Sequence, residues 1–174
     1  MKLEDNQPIQ WQSYLWEQSR PATLSDIERI ETALRIHFPN DYRDVVMQHQ
    51  GEIPQQNLFD FIENNDQTIL VMGVLFHFLE DKSESGFYTY NILENYKNRR
   101  HLLPPQVIPF SEDPGGNCIA FDFRKTPDAP TIVFVDHEAV GEANWISYIA
   151  ANFTEFLSLL YEDTDLTGAG VDCS

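Results

Sequence analysis

Three short runs carry residue types able to do chemistry: Asp136-His137-Glu138, Glu112-Asp113 and Asp113-Pro114-Gly115-Gly116-Asn117. An Asp-His-Glu triplet holds donors for a divalent metal. It sits at the end of an expected strand, though, and neighbouring strand residues point to opposite faces, so the three do not converge. His37, His49, His77 and His101 stand at no spacing that would complete a ligand set. Glu112 and Asp113 could in principle share acid–base work, but no second carboxylate pair is placed to face them. The Gly115-Gly116 run has the look of a phosphate loop. It lacks the following helix and the Lys that such a loop needs, and its two acids would repel phosphate. The glycines read instead as turn residues that permit positive φ. No nucleophile–base pair or metal motif emerges, so the sequence predicts no catalytic residue, no metal and no cofactor.

Charge is the stronger signal. The 174 residues hold 11 Lys and Arg against 28 Asp and Glu, a net charge of −17. After Lys125 there are nine acids and no Lys or Arg. Such a surface repels nucleic acid and anionic membrane and attracts a basic partner. It also serves solubility alone. Two acidic groups are candidate contact sites for a partner. One is Glu80, Asp81 and Glu84, in a charged loop after an apolar run. The other is Glu112, Asp113, Asp136, Glu138 and Glu142, all near expected strand ends. Solvated loop is the plainer reading of both.

The elements that must position these residues follow from periodicity. Ser25-Asp26-Ile27-Glu28 reads as a capping box opening a helix with Ile27, Ile30 and Leu34 on one face. Pro39 ends that helix and starts a second, with Tyr42, Val45, Val46 and His49 on one side and Gly51 at its close. Leu58–Ile62 is expected as a strand. Ile69–Phe78 is expected as one or two buried strands, with Gly73 at a bulge or bend. Phe87, Tyr90, Leu93 and Tyr96 have helical spacing. Then come a strand 106–110, a tight turn 113–117, a strand 118–123, a turn 126–130 and a strand 131–135, read as an antiparallel meander. A last helix begins near Asn152, with Glu155 three residues on and Phe153, Phe156, Leu157 and Leu160 as its apolar face. Helices, strands, helix, strands, helix is an α+β order, against a doubly wound nucleotide fold.

Two cysteines, Cys118 and Cys173, make neither a disulfide framework nor a zinc site. The first twelve residues lack the apolar core of a secretion signal. The longest apolar run is about half the ~20 residues of a membrane helix, so a cytoplasmic location is expected.

Three segments resemble the SUKH superfamily, also called the Smi/Knr family. Leu24-Ser25-Asp26-Ile27-Glu28, through Phe38-Pro39-Asn40-Asp41-Tyr42 to Gly51, is similar to that family's paired N-terminal helices. Ile108-Pro109-Phe110 followed by Ser111 to Asn117 resembles its strand and acidic Gly-Gly-Asn turn, with Pro114 as a departure. Val133 to Glu138 and Ala151 to Leu157 resemble its Asp-His-Glu strand end and closing Phe-x-x-Phe-Leu helix. The resemblance covers roughly residues 22–161. It implies a twisted, largely antiparallel sheet flanked by helices. The chain then divides into an N-terminal extension 1–21, a SUKH-like domain 22–162 and, from the character of its own residues, a flexible acidic tail 163–174. The resemblance further implies an immunity protein that binds and neutralises a toxin domain, often a nuclease, without catalysis of its own. A regulatory scaffold or ligand-binding adaptor is the alternative function on the same fold. The family offers no established catalytic residues to carry over.

Overall fold

A computed structural model describes residues 7–83 and 85–163. The fold is α+β. Its centre is a four-stranded antiparallel sheet of β5 (Val107–Glu112), β6 (Cys118–Asp122), β7 (Thr131–Val135) and β8 (Ile146–Ala150), in that order across the sheet. The meander expected over 106–135 is present, and β8 extends it by one strand.

The two N-terminal helices are α1 (Leu24–Leu34) and α2 (Asn40–His49). The α1 capping box is shifted from the expected one. Thr23, not Ser25, is the cap: its hydroxyl accepts from Asp26 N–H at 3.1 Å, and the Asp26 carboxylate accepts from Thr23 N–H at 2.8 Å. Both pairs have cap spacing, but only Thr23 has extended backbone while Ser25 is already helical. Between the helices the buried Glu31 carboxylate accepts from Phe38 N–H at 2.7 Å and from Arg43 Nε at 3.0 Å, fixing the α1–α2 turn.

Ahead of α1, β1 (Trp11–Ser13) pairs with β2 (Glu52–Pro54), and Leu15 and Ala22 are buried in the core. β3 (Leu58–Glu63) and β4 (Asp66–Val71) form a hairpin closed by Asn64 and Asn65, both at positive φ (51° and 70°), the type I′ geometry that Asn tolerates. The one or two buried strands expected over 69–78 do not form as such. Only Ile69–Val71 belongs to β4, whose outer residues are exposed. Residues 72–78 are a buried extended segment lying along β5, with bonds from Gly73 N–H to Glu112 O and from Phe76 N–H to Phe110 O, each 2.9 Å. Gly73 lies where this segment comes against the end of β5. A Cβ there would lie 2.2 Å from the Glu112 carbonyl oxygen, so glycine is required for backbone to approach backbone.

The 87–96 stretch is likewise not one helix. It divides into a short turn, α3 (Ser85–Tyr88), and α4 (Ile92–Asn98). Asn91 caps α4, its side chain accepting from Leu93 and Glu94 N–H. α5 (Phe153–Ser158) opens as expected at Asn152, whose side chain accepts from Glu155 N–H at 2.8 Å. The tail lies outside the described residues apart from Asp163.

The core gathers where α2, α5 and the inner sheet face meet. Tyr42 packs against Phe121 and Phe153 at ring separations of 4.9 and 5.1 Å, in the edge-on geometry that aromatic rings favour. Each fully buried Phe contributes roughly 1.5–3 kcal/mol, and Phe59, Phe76, Phe78, Phe110, Phe121, Phe153 and Phe156 are all inaccessible.

Candidate functional site

β5 and β7 run in the same direction, so the turn after β5 and the loop after β7 leave the sheet at one end. Asp113 holds the first turn. Its carboxylate accepts from Asn117 N–H at 2.9 Å and from Asn117 Nδ2 at 3.0 Å, and Gly116 takes φ 88°. The second loop starts with Asp136, whose carboxylate accepts from Glu138 N–H at 2.9 Å. His137 joins the two. Its backbone N–H donates to Asn117 Oδ1 at 3.1 Å, and its ring Nδ1 lies 2.7 Å from the same oxygen. The Asp-His-Glu run therefore acts as a loop anchor. Glu138 and Glu142 stay exposed, with no side-chain bond or ion pair among the described residues.

The β3–β4 hairpin adds a third wall. Phe61 packs on Phe134 of β7 at 5.3 Å, bringing the hairpin tip beside the β7–β8 loop. Between them lies a cleft of about 330 Å³, with the carboxylates of Glu63, Asp136 and Glu142 in its lining and no Lys or Arg. No cluster of three or more His, Cys, Asp or Glu among the described residues is arranged to hold a metal ion.

The remaining expected residues lie elsewhere or are engaged. Glu112 ends β5 in an ion pair with Arg99, which also donates to Gly116 O at 2.7 Å. Burial pushes the Glu112 carboxyl up, against the pull of Arg99. The 72–78 segment runs antiparallel to β5, so Glu80 and Asp81 leave it toward the other end of the sheet. There Glu80 pairs with Arg29 at 3.2 Å and Asp81 with Arg20 at 3.1 Å. Bonds from Ser83, with Arg20 second, hold Asp81 down at about 2. Glu84 lies outside the described residues.

Thus Asp113, Asp136, Glu138 and Glu142 come together, while Glu80 and Asp81 do not join them. Sequence reading missed Glu63. The Asn64-Asn65 dipeptide between two strand-like runs was the signal that would have placed it at a hairpin tip.

The family model described as SMI1 / KNR4 family (SUKH-1) matches residues 21–159. The chain belongs to the SMI1 / KNR4 family. No curated protein matches it.

In this SUKH-1 chain each motif that carried the resemblance has a structural duty. The Phe38-Pro39 turn is bound to Glu31, and Tyr42 sits at the core. The Gly-Gly-Asn turn and the Asp-His-Glu strand end meet at the Asn117–His137 contact. Cys118, the only free cysteine among the described residues, is buried beneath this end, and burial pushes its thiol up to about 11. A thiol so protonated is a poor nucleophile at neutral pH. Membership places the chain in the immunity-protein superfamily, whose members are generally non-enzymatic. No helix among the described residues is long and apolar enough to cross a membrane.

Proposed function

We propose that this SUKH-1 protein is an immunity protein that neutralises a basic toxin domain, of nuclease type, by covering it with the acidic end of its sheet. The observation that carries this reading is the cleft lined by Glu63, Asp136 and Glu142 with no cation in its wall. Exposed Glu138 stands on the same loop. A nuclease groove is basic because it holds phosphate, and carboxylates spaced along a rim can take the place of the nucleic-acid backbone, each pairing with Arg or Lys. The net charge of −17 steers such an encounter. The same charge disfavours direct contact with nucleic acid or anionic membrane, and the action belongs in the cytoplasm, where an incoming nuclease would find its substrate.

The test is co-expression with the product of the adjacent open reading frame. Growth rescue and a co-purifying complex are the expected outcome. In that complex Glu138→Lys and Glu142→Lys each weaken binding by at least tenfold, and affinity falls with added salt over the Debye range. Rescue without a complex, or a complex indifferent to both reversals and to salt, sinks the reading.

A further inference from the structure

The acidic end leaves one large feature unused, a groove between β3 and β8. β8 is an outermost strand of its sheet. The opposite edge, β5, is already covered by residues 73–76. β3 also has a side that, beyond Leu58, no described strand pairs with. Leu58 exchanges both backbone bonds with Tyr161, at 3.0 and 2.8 Å, so its N–H and C=O point away from β4. Backbone direction alternates along a strand, so Asp60 and Ile62 turn theirs the same way. Among the described residues the ladder goes no further, because those before Tyr161 run back into α5. No backbone bond from Asp60 or Ile62 outside the hairpin is made to any described residue.

The groove has a volume of about 1100 Å³. Asp60, Phe61 and Ile62 of β3 and Tyr148 and Ile149 of β8 line it, and residues 7–10, α5 and residues 159–162 add to the wall. Consecutive strand residues point to opposite faces, so a groove that touches all of them follows the strand edges. Its volume exceeds the ~300–1,000 Å³ range of small-molecule sites. Asp41, Asp60 and Glu162 are in its wall, with no Lys or Arg. Ile62 and Tyr148, respectively 72% and 61% exposed, offer apolar contact at the rim.

The geometry points to strand addition: the groove takes an extended segment of a partner polypeptide, with Lys or Arg alternating with apolar residues, whose backbone pairs with Asp60 and Ile62. Unpaired edge groups are a template for such pairing, with main-chain bonds giving affinity and alternate side chains giving selectivity. The Leu58–Tyr161 bridge is the same pairing made once within the chain. The inference stands whether or not the acidic end binds a toxin.

The probe is the hexapeptide Lys-Val-Lys-Val-Lys-Val, titrated into the full chain and compared with the same peptide N-methylated at alternate amides. Hydrogen exchange at the Asp60 and Ile62 amides is followed throughout. The expected result is binding by the unmodified peptide, at least tenfold weaker binding by the methylated one, and slowed exchange at both amides. Ile62→Pro removes an outward N–H without removing a β3–β4 bond, and is expected to reduce binding by a similar factor with unchanged far-ultraviolet circular dichroism. If that variant does not fold, the methylated peptide decides alone. Equal binding of both peptides means adhesion by charge only and overturns the proposal. So does protection of both amides in the free monomer, which means that the chain's own ends fill the groove. Protection that grows with protein concentration and resists peptide means a second copy occupies it, and also overturns the proposal.

Discussion

Asn117 and His137, twenty residues apart, share one oxygen: Asn117 Oδ1 accepts the His137 backbone N–H and lies 2.7 Å from its ring Nδ1. That contact locks the β5–β6 turn to the β7–β8 loop and sets the positions of Asp113 and Asp136. Asn117→Ala removes this acceptor and the Nδ2 bond to Asp113. With each net bond worth about 0.5–1.5 kcal/mol, we expect a loss of about 1–3 kcal/mol in urea unfolding. We also expect faster hydrogen exchange confined to residues 113–117 and 136–145. Exchange that rises evenly over the whole chain would show that the contact does not organise this end.

The exposed carboxylates should be silent in stability. Glu142→Lys and Glu138→Lys break no bond made by a described residue, and surface changes of this kind fall within about 0.5 kcal/mol. Thermal melts of the free protein should therefore be nearly unchanged, so any lost binding belongs to the interface. A large fall in melting temperature would mean that these acids hold the fold.

His77 gives a pH signature. It is buried. Its Nε2 lies 2.9 Å from Phe87 O, and its Nδ1 accepts from Leu79 N–H at 3.2 Å, which fixes the neutral tautomer. Burial lowers its pKa from 6.5 and outweighs the raising effect of the Phe87 carbonyl. The unfolded chain then binds more protons just below pH 6.5, so the stability this group contributes is present above that value and lost as pH falls through the lowered one. Urea midpoints measured from pH 7 to pH 5 should fall for the natural protein and fall less for His77→Gln. Parallel curves would assign the acid sensitivity to other groups.

Gly73→Ala should be among the most damaging single changes outside the aromatic core. The added carbon meets the Glu112 carbonyl at 2.2 Å, and neither backbone can give way without breaking the 2.9 Å bond between them. A loss of about 2–4 kcal/mol is expected in denaturant titration, near the upper range for overpacking. A loss under about 1 kcal/mol would show that the segment is not held against β5.

Tyr42→Phe should do the reverse of what its burial suggests. The Tyr42 hydroxyl is fully buried with no hydrogen-bond partner among the described residues, and burial raises its pKa well above the usual tyrosine value. Removing a buried unpaired hydroxyl relieves a desolvation cost of about 1–3 kcal/mol. We expect the melting temperature to stay level or rise. A clear fall would reveal a partner for the hydroxyl.

The sequence by itself determined the α+β class, the helix pair, the 106–135 meander and the Asn152 cap. Each rests on local chemistry, such as a turn residue, a cap or a period of 3.6, that needs no distant partner. It also determined the excess of acid and the SUKH resemblance. Tertiary structure decided which Thr or Ser caps α1, because two overlapping patterns are equal until one residue leaves helical backbone. It turned the apolar 72–78 run into a segment along β5, since hydrophobicity specifies burial and not the partner that receives the backbone bonds. β8 was illegible because Ile146–Ala150 is short and half-exposed, and acquires its register only from β7. The same dependence sorted the acids. Glu112 went to Arg99, and Glu80 and Asp81 to arginines at the far end, while Glu63 came to the cleft from another hairpin. Charge count is a property of the chain, but which charges remain unpaired and side by side depends on contacts between residues far apart in it.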